Sequence, residues 1–118
     1  MSKFKAEFYE NESGTKPAKE FILSQDIKMK TKLFGLVDIL EQYGNQLREP
    51  YSKYLEDGIF ELRAKVGSDI SRVLYFFYYE GRIIITNGFV KKTQKTPPSE
   101  IKKAKQCRKD FLERYGGK

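Results

Sequence analysis

Arg63, Arg72, Lys91 and Lys92 are the residues of this sequence whose types and spacing suit chemistry on a charged group. An arginine grips two phosphate oxygens through parallel hydrogen bonds, and a lysine adds a compact positive charge. Gathered around one phosphodiester, such cations stabilise the charge that builds on phosphorus when the 2′-hydroxyl of RNA attacks it. They do so more in the transition state than in the ground state. The same reaction needs a base for the 2′ proton. With no histidine in the chain, the candidates are a lysine whose pKa is lowered by cationic neighbours, a tyrosine such as Tyr75, or Glu61.

The missing histidine excludes several other chemistries. Metal sites of the His/Cys kind, Ser-His-Asp triads and histidine acid-base catalysis are all ruled out, so the expectation is an activity that needs no metal and no cofactor. The one cysteine, Cys107, forms no internal disulfide and reads as a small thiol packed along a helix.

A chain of 118 residues with 39% apolar content is one domain, residues 1–118, with a modest core. The net charge of +7 is localised: between Lys91 and Lys109 stand eight basic residues and one acid, Glu100, while the rest of the chain carries fifteen of each sign. Charge concentrated in this way points to a polyanion or an acidic protein as partner. Tyr75, Tyr78 and Phe89 offer rings on which unpaired bases stack, against the commoner use of such residues as core. Neither a signal-peptide pattern nor an apolar run of membrane-crossing length is present, so a soluble, cytoplasmic protein without membrane contact is expected.

These side chains need a scaffold. Lys3 to Tyr9 alternates as a half-buried strand, Thr15 and Pro17 open a short helix, and Asp26 opens a second whose positions Leu33, Leu36, Val37 and Leu40 recur at three and four before Gly44. The pair is predicted to form a helical hairpin. Leu47 to Gly58 reads as irregular. Ile59–Lys65, Arg72–Tyr79 and Arg82–Val90 then read as consecutive strands of an antiparallel meander, the middle one apolar on both sides. The tail after Lys95 reads as a basic helix. The expected class is α+β, with helices on one face of the sheet. Antiparallel pairing brings the end of the third meander strand beside the start of the second, and so Lys91 and Lys92 beside Arg72.

The strings LEDGIFELRAK, RVLYFF and IIITNGFVKKTQKTPPSEIKKAK, from Leu55 to Lys105, resemble the HigB-like (phage Gp49-like) toxins of the RelE/ParE superfamily. The resemblance implies a small RelE-like domain: an antiparallel sheet of about four strands, an N-terminal helical hairpin and a C-terminal helix. It implies a toxin of a type II toxin-antitoxin system, a ribosome-dependent mRNA interferase that cleaves messenger RNA and arrests translation. Its partners would be the ribosome, messenger RNA and a cognate HigA-like helix-turn-helix antitoxin, with operator DNA reached indirectly through that antitoxin. By position, Arg72 matches the arginine used on the scissile phosphate. Arg63 and Lys91 or Lys92 fall where other basic catalytic residues occur. Phe89, Lys95, Lys102, Lys103 and Lys105 would contact RNA. Ser71 stands where many members carry tyrosine, which leaves the general acid and base open. Two other readings use the same scaffold: a ParE-like toxin acting on DNA gyrase, and a non-catalytic RNA-binding module.

Overall fold

The alternation of Phe4, Ala6 and Phe8 produces strand β1, Lys5–Phe8, in a computed structural model that describes residues 3–116. Helix α1, Pro17–Ser24, begins at its proline, where no intrahelical hydrogen bond is lost. Thr15 is not its cap. That residue lies in the preceding loop, donating its backbone N–H to Asn11 Oδ1 at 2.9 Å. Helix α2, Ile27–Tyr43, is capped as its sequence predicts, with Asp26 Oδ1 accepting from the Met29 N–H at 2.9 Å. It stops at Gly44, whose φ of 54° and contact with the Phe4 ring leave no room for a Cβ.

Four more strands follow: β2, Ser52–Glu56; β3, Ile59–Val66; β4, Asp69–Tyr78; and β5, Arg82–Val90. Helix α3, Pro98–Phe111, continues into a wider helical turn over Leu112–Gly116. The sheet runs in the order β1-β5-β4-β3-β2. Strand β1 pairs parallel with β5, Lys5 opposite Arg82, and the other neighbours are antiparallel.

This corrects the expectation of about four antiparallel strands. Among the described residues the sheet has five strands and is mixed, and the fifth, β2, lies in the segment expected to be irregular. The two N-terminal helices differ from a simple hairpin too. Each is held chiefly by the sheet, α1 on β5 and α2 on β3, rather than by one seam between them.

Helices cover both faces, not one. On the first, α1 and α2 enclose Leu62, Val73, Tyr75, Ile83 and Ile85. On the second, α3 lays Ala104 and Phe111 over Ile59, Leu74, Phe76, Ile84 and Phe89. The reason lies in β4 and β5: Val73, Leu74, Ile83, Ile84 and Ile85 are fully buried although they alternate between faces, so both faces need a cover. Each such side chain contributes about 1.5–3 kcal/mol of hydrophobic stabilisation. Among the described residues no helix is long and apolar enough to cross a membrane.

Candidate active site

Antiparallel register sets Arg63 of β3 directly opposite Arg72 of β4, and Arg72 opposite Phe89 of β5. All three face α3. Lys91 follows two residues after Phe89, its N–H donating to the Ile70 carbonyl at 2.8 Å, so the chain leaving β5 stays against the start of β4. Three cations thus meet at one end of the sheet. Like charges placed directly opposite repel, and the compensation comes from Glu61, two residues before Arg63 on the same face of β3.

Glu61 is only 2% exposed. Its Oε2 lies 3.5 Å from Arg63 Nε and 3.6 Å from Arg72 Nε, and its Oε1 accepts a hydrogen bond from Thr96 Oγ1 at 2.5 Å. The two guanidinium contacts are Coulombic rather than hydrogen-bonded, for both Nε atoms are buried without a hydrogen-bond partner. Arg72 donates from Nη1 to the Ser71 carbonyl at 3.1 Å, and Arg63 reaches out to Glu49 at 3.5 Å. Burial pulls the Arg72 pKa down, Glu61 works against that shift, and Arg63 adds to it. Arginine remains charged regardless. The Lys91 ammonium is also held below the ordinary lysine range, by burial first and then by Arg72, with Glu61 opposing.

Over this cluster opens a cleft of about 260 Å³, lined by Lys53, Tyr54, Arg63, Lys91, Gln94 and Lys95 around Glu61 and Thr96. It is not the largest groove. One of about 470 Å³ runs along Phe60, Phe76, Phe77 and Tyr79 at the other end of the sheet, with Arg108 as its one cation. The cations that suit a phosphodiester converge on the smaller, more polar cleft.

Arg63, Lys91 and Lys95 line the cleft as their positions predict, whereas Arg72 lies behind Glu61 and is 5% exposed. Lys92 and Lys102 are exposed beyond it. Lys103 pairs with Glu100 at 3.5 Å. Lys105 donates to Glu56 Oε2 at 2.6 Å and lies 3.8 Å from Asp57, so its charge is spent on fastening α3 to the β2–β3 turn.

Two aromatic expectations are corrected. Phe89 is 8% exposed and packs in the core under α3, so it offers no stacking surface. Tyr75 faces the opposite side of the sheet from Glu61, stacked on Phe60 at 5.4 Å and hydrogen-bonded to Ser52. Burial drives its pKa to about 12, and it has no path to the cleft as a base. Glu61 is likewise enclosed by its three partners, which fits it to hold cations in place rather than to meet a substrate.

Sequence reasoning missed Lys53, Tyr54 and Thr96. The first two arrive on β2, where Lys53 is the register partner of Glu61. Tyr54 is 54% exposed and packs edge-on against Phe60 at 5.1 Å, which makes it the aromatic ring open at the cleft. Sequence pattern gave them no signal, because β2 runs along the sheet edge with only Ser52 buried. Thr96 had none, being a loop residue whose role depends on where β5 releases the chain.

A family model described as phage-derived Gp49-like protein matches residues 20–109, from within α1 to the last turns of α3, and includes every residue of the cleft. No curated protein matches the chain.

Proposed function

Because the chain belongs to the family of phage-derived Gp49-like proteins, in general RelE-like toxins, we propose that it is a HigB-like ribosome-dependent mRNA interferase of a type II toxin-antitoxin system. The observation that carries this reading is the convergence of Arg63, Arg72 and Lys91 on the single buried carboxylate of Glu61 beside an open polar cleft.

In this reading the scissile phosphate sits in the cleft against Arg63, with Arg72 adding its buried charge from behind. The uncharged amine of Lys91 takes the proton of the 2′-hydroxyl as the 2′-oxygen bonds to phosphorus. The bond from phosphorus to the 5′-oxygen then breaks, and that oxygen is protonated from solvent. The products are a 2′,3′-cyclic phosphate and a free 5′-hydroxyl. Fixed cations stabilise the doubly charged phosphorane in a site partly shielded from water, where their effect exceeds that in bulk solvent. Tyr54 supports a base of the messenger. Family membership supports a helix-turn-helix antitoxin as the neutralising partner, and operator DNA as a target of the pair.

Primer extension on a defined messenger, with and without ribosomes, tests the reading. New stops in the reading frame that require ribosomes and vanish in both Arg63→Ala and Arg72→Ala are the expected result. Growth arrest with intact messenger and accumulating DNA breaks would instead select the gyrase reading. Salt-sensitive RNA binding with no cleavage under any condition would select the binding module.

A further inference from the structure

We propose that Lys28, Lys32 and Lys65 form a second RNA-binding surface, which grips the sugar-phosphate backbone of a double-helical RNA while the cleft holds the messenger. This inference rests on the nucleic-acid part of the reading above but not on cleavage.

Arg82, Lys105, Arg108 and Arg114 each hold a carboxylate, at 2.7, 2.6, 3.2 and 2.7 Å respectively. None of the three lysines does, and none makes a side-chain hydrogen bond among the described residues. They line a groove of about 440 Å³ where the first turns of α2 meet the end of β3, with Ile27, Thr31 and Val66 between them. The acids closest to them in sequence do not neutralise them. Asp26 is engaged as the α2 cap, and Asp69 is an exposed residue at the start of β4.

The groove joins the cleft through β3. Lys65 stands two residues beyond Arg63, about 7 Å along the strand, and lines the groove together with Lys28 and Lys32. Three lysines without a side-chain partner around one groove repel one another and favour a ligand bearing closely spaced anions. The side chains of the groove narrow that ligand further. They include no ring for a base to stack on and no arginine fork for reading base edges, and lysine ammonium groups suit phosphate as point charges. Backbone contact without base readout is how double-helical RNA is most often held.

The test is fluorescence anisotropy with a labelled RNA duplex, titrated at several KCl concentrations. It compares the wild-type chain, the triple variant Lys28→Ala, Lys32→Ala, Lys65→Ala, and a charge-matched control, Lys5→Ala, Lys19→Ala, Lys109→Ala. Circular dichroism and the melting temperature establish that each is folded. Loss of three phosphate contacts should reduce the slope of log affinity against log salt by about 2.7 and weaken binding by about tenfold or more at moderate salt, with the control near wild type. Equal losses in both variants would reduce the effect to net charge and overturn the assignment, and so would an unchanged slope in the first. So would loss of binding to an acidic protein partner with duplex affinity unchanged. A wild-type chain that binds the duplex through these lysines yet cuts no messenger would leave this surface standing while removing the nuclease reading.

Discussion

The hydroxyl of Thr96 lies 2.5 Å from Oε1 of Glu61, so the loop that leaves β5 is fastened to the middle of β3. That bond sets the position of the whole basic segment, since Lys91 is held at one end by the Ile70 carbonyl and Thr96 holds the other. Lys95 stands between them at the cleft.

Replacing Thr96 with valine keeps the side-chain shape and removes the donor. A buried carboxylate oxygen then loses its partner, which costs about 1–3 kcal/mol. Urea denaturation should show that loss with an unchanged m-value, and cleavage should fall as the loop loosens. Serine at this position should restore both. A fully stable valine variant would mean that the bond does not fasten the loop.

Glu61→Gln probes the carboxylate between the two guanidinium groups. Glutamine retains an acceptor for Thr96 but leaves Arg63 and Arg72 facing each other uncompensated. Removing one partner from a buried ion pair costs on the order of 3–5 kcal/mol. Destabilisation toward the lower end is expected, because Arg63 remains 24% exposed and also reaches Glu49. Sulfate should recover part of the loss by binding between the arginines in the folded state alone. A melting temperature that is insensitive to sulfate would count against an anion-binding cluster.

Gly88→Ala tests how the sheet accepts α1. A Cβ at position 88 would collide with the Phe21 ring and approach the Val73 Cγ1 at 2.9 Å. Overpacking of this kind typically costs about 1–3 kcal/mol. Chemical denaturation should show that loss, and pairing the change with Phe21→Leu should relieve part of it.

The helices and the three-strand meander were legible because each carries its own local code. Asp26 and Gly44 punctuate α2, and the three- and four-residue recurrence of Leu33, Leu36 and Leu40 gives its buried side. Strand β2 was not legible. At a sheet edge only Ser52 is buried, and the exposed Lys53, Tyr54 and Glu56 carry no alternation that burial would impose. The alternation of β1 marks a strand but says nothing about its neighbour, and the parallel pairing with β5 is set by tertiary packing. The cation cluster could be read from antiparallel geometry, since register alone puts Arg63 opposite Arg72. The burial of Glu61 could not, because alternation assigns it to the face away from Leu62, and that face is closed by a loop distant in sequence. Tyr75 and Phe89 show the reverse case, where residue type suited RNA and the strand pattern put both rings into the two cores.

Lys91 gives the sharpest test of the chemistry. Its ammonium is held below the ordinary lysine range by burial and by Arg72, so a growing fraction is uncharged as pH rises toward that lowered value. If the amine is the base, the single-turnover cleavage rate should rise with pH at a slope of about one and level off near the folded-state pKa. Lys91→Arg keeps the charge but cannot surrender its proton in this range. It should cut the rate by about 10²–10⁴-fold and abolish the pH dependence, while binding to uncleaved messenger persists. The same shift makes a prediction for stability. A lysine with a folded-state pKa below its unfolded value opposes folding while protonated. The resulting penalty is full below the folded value and fades as pH rises toward the unfolded one. Wild type should therefore gain stability relative to Lys91→Met across that window and lose the gain as pH falls through it. A cleavage rate in Lys91→Arg equal to wild type would remove Lys91 as the base and leave it as a cation beside Arg63.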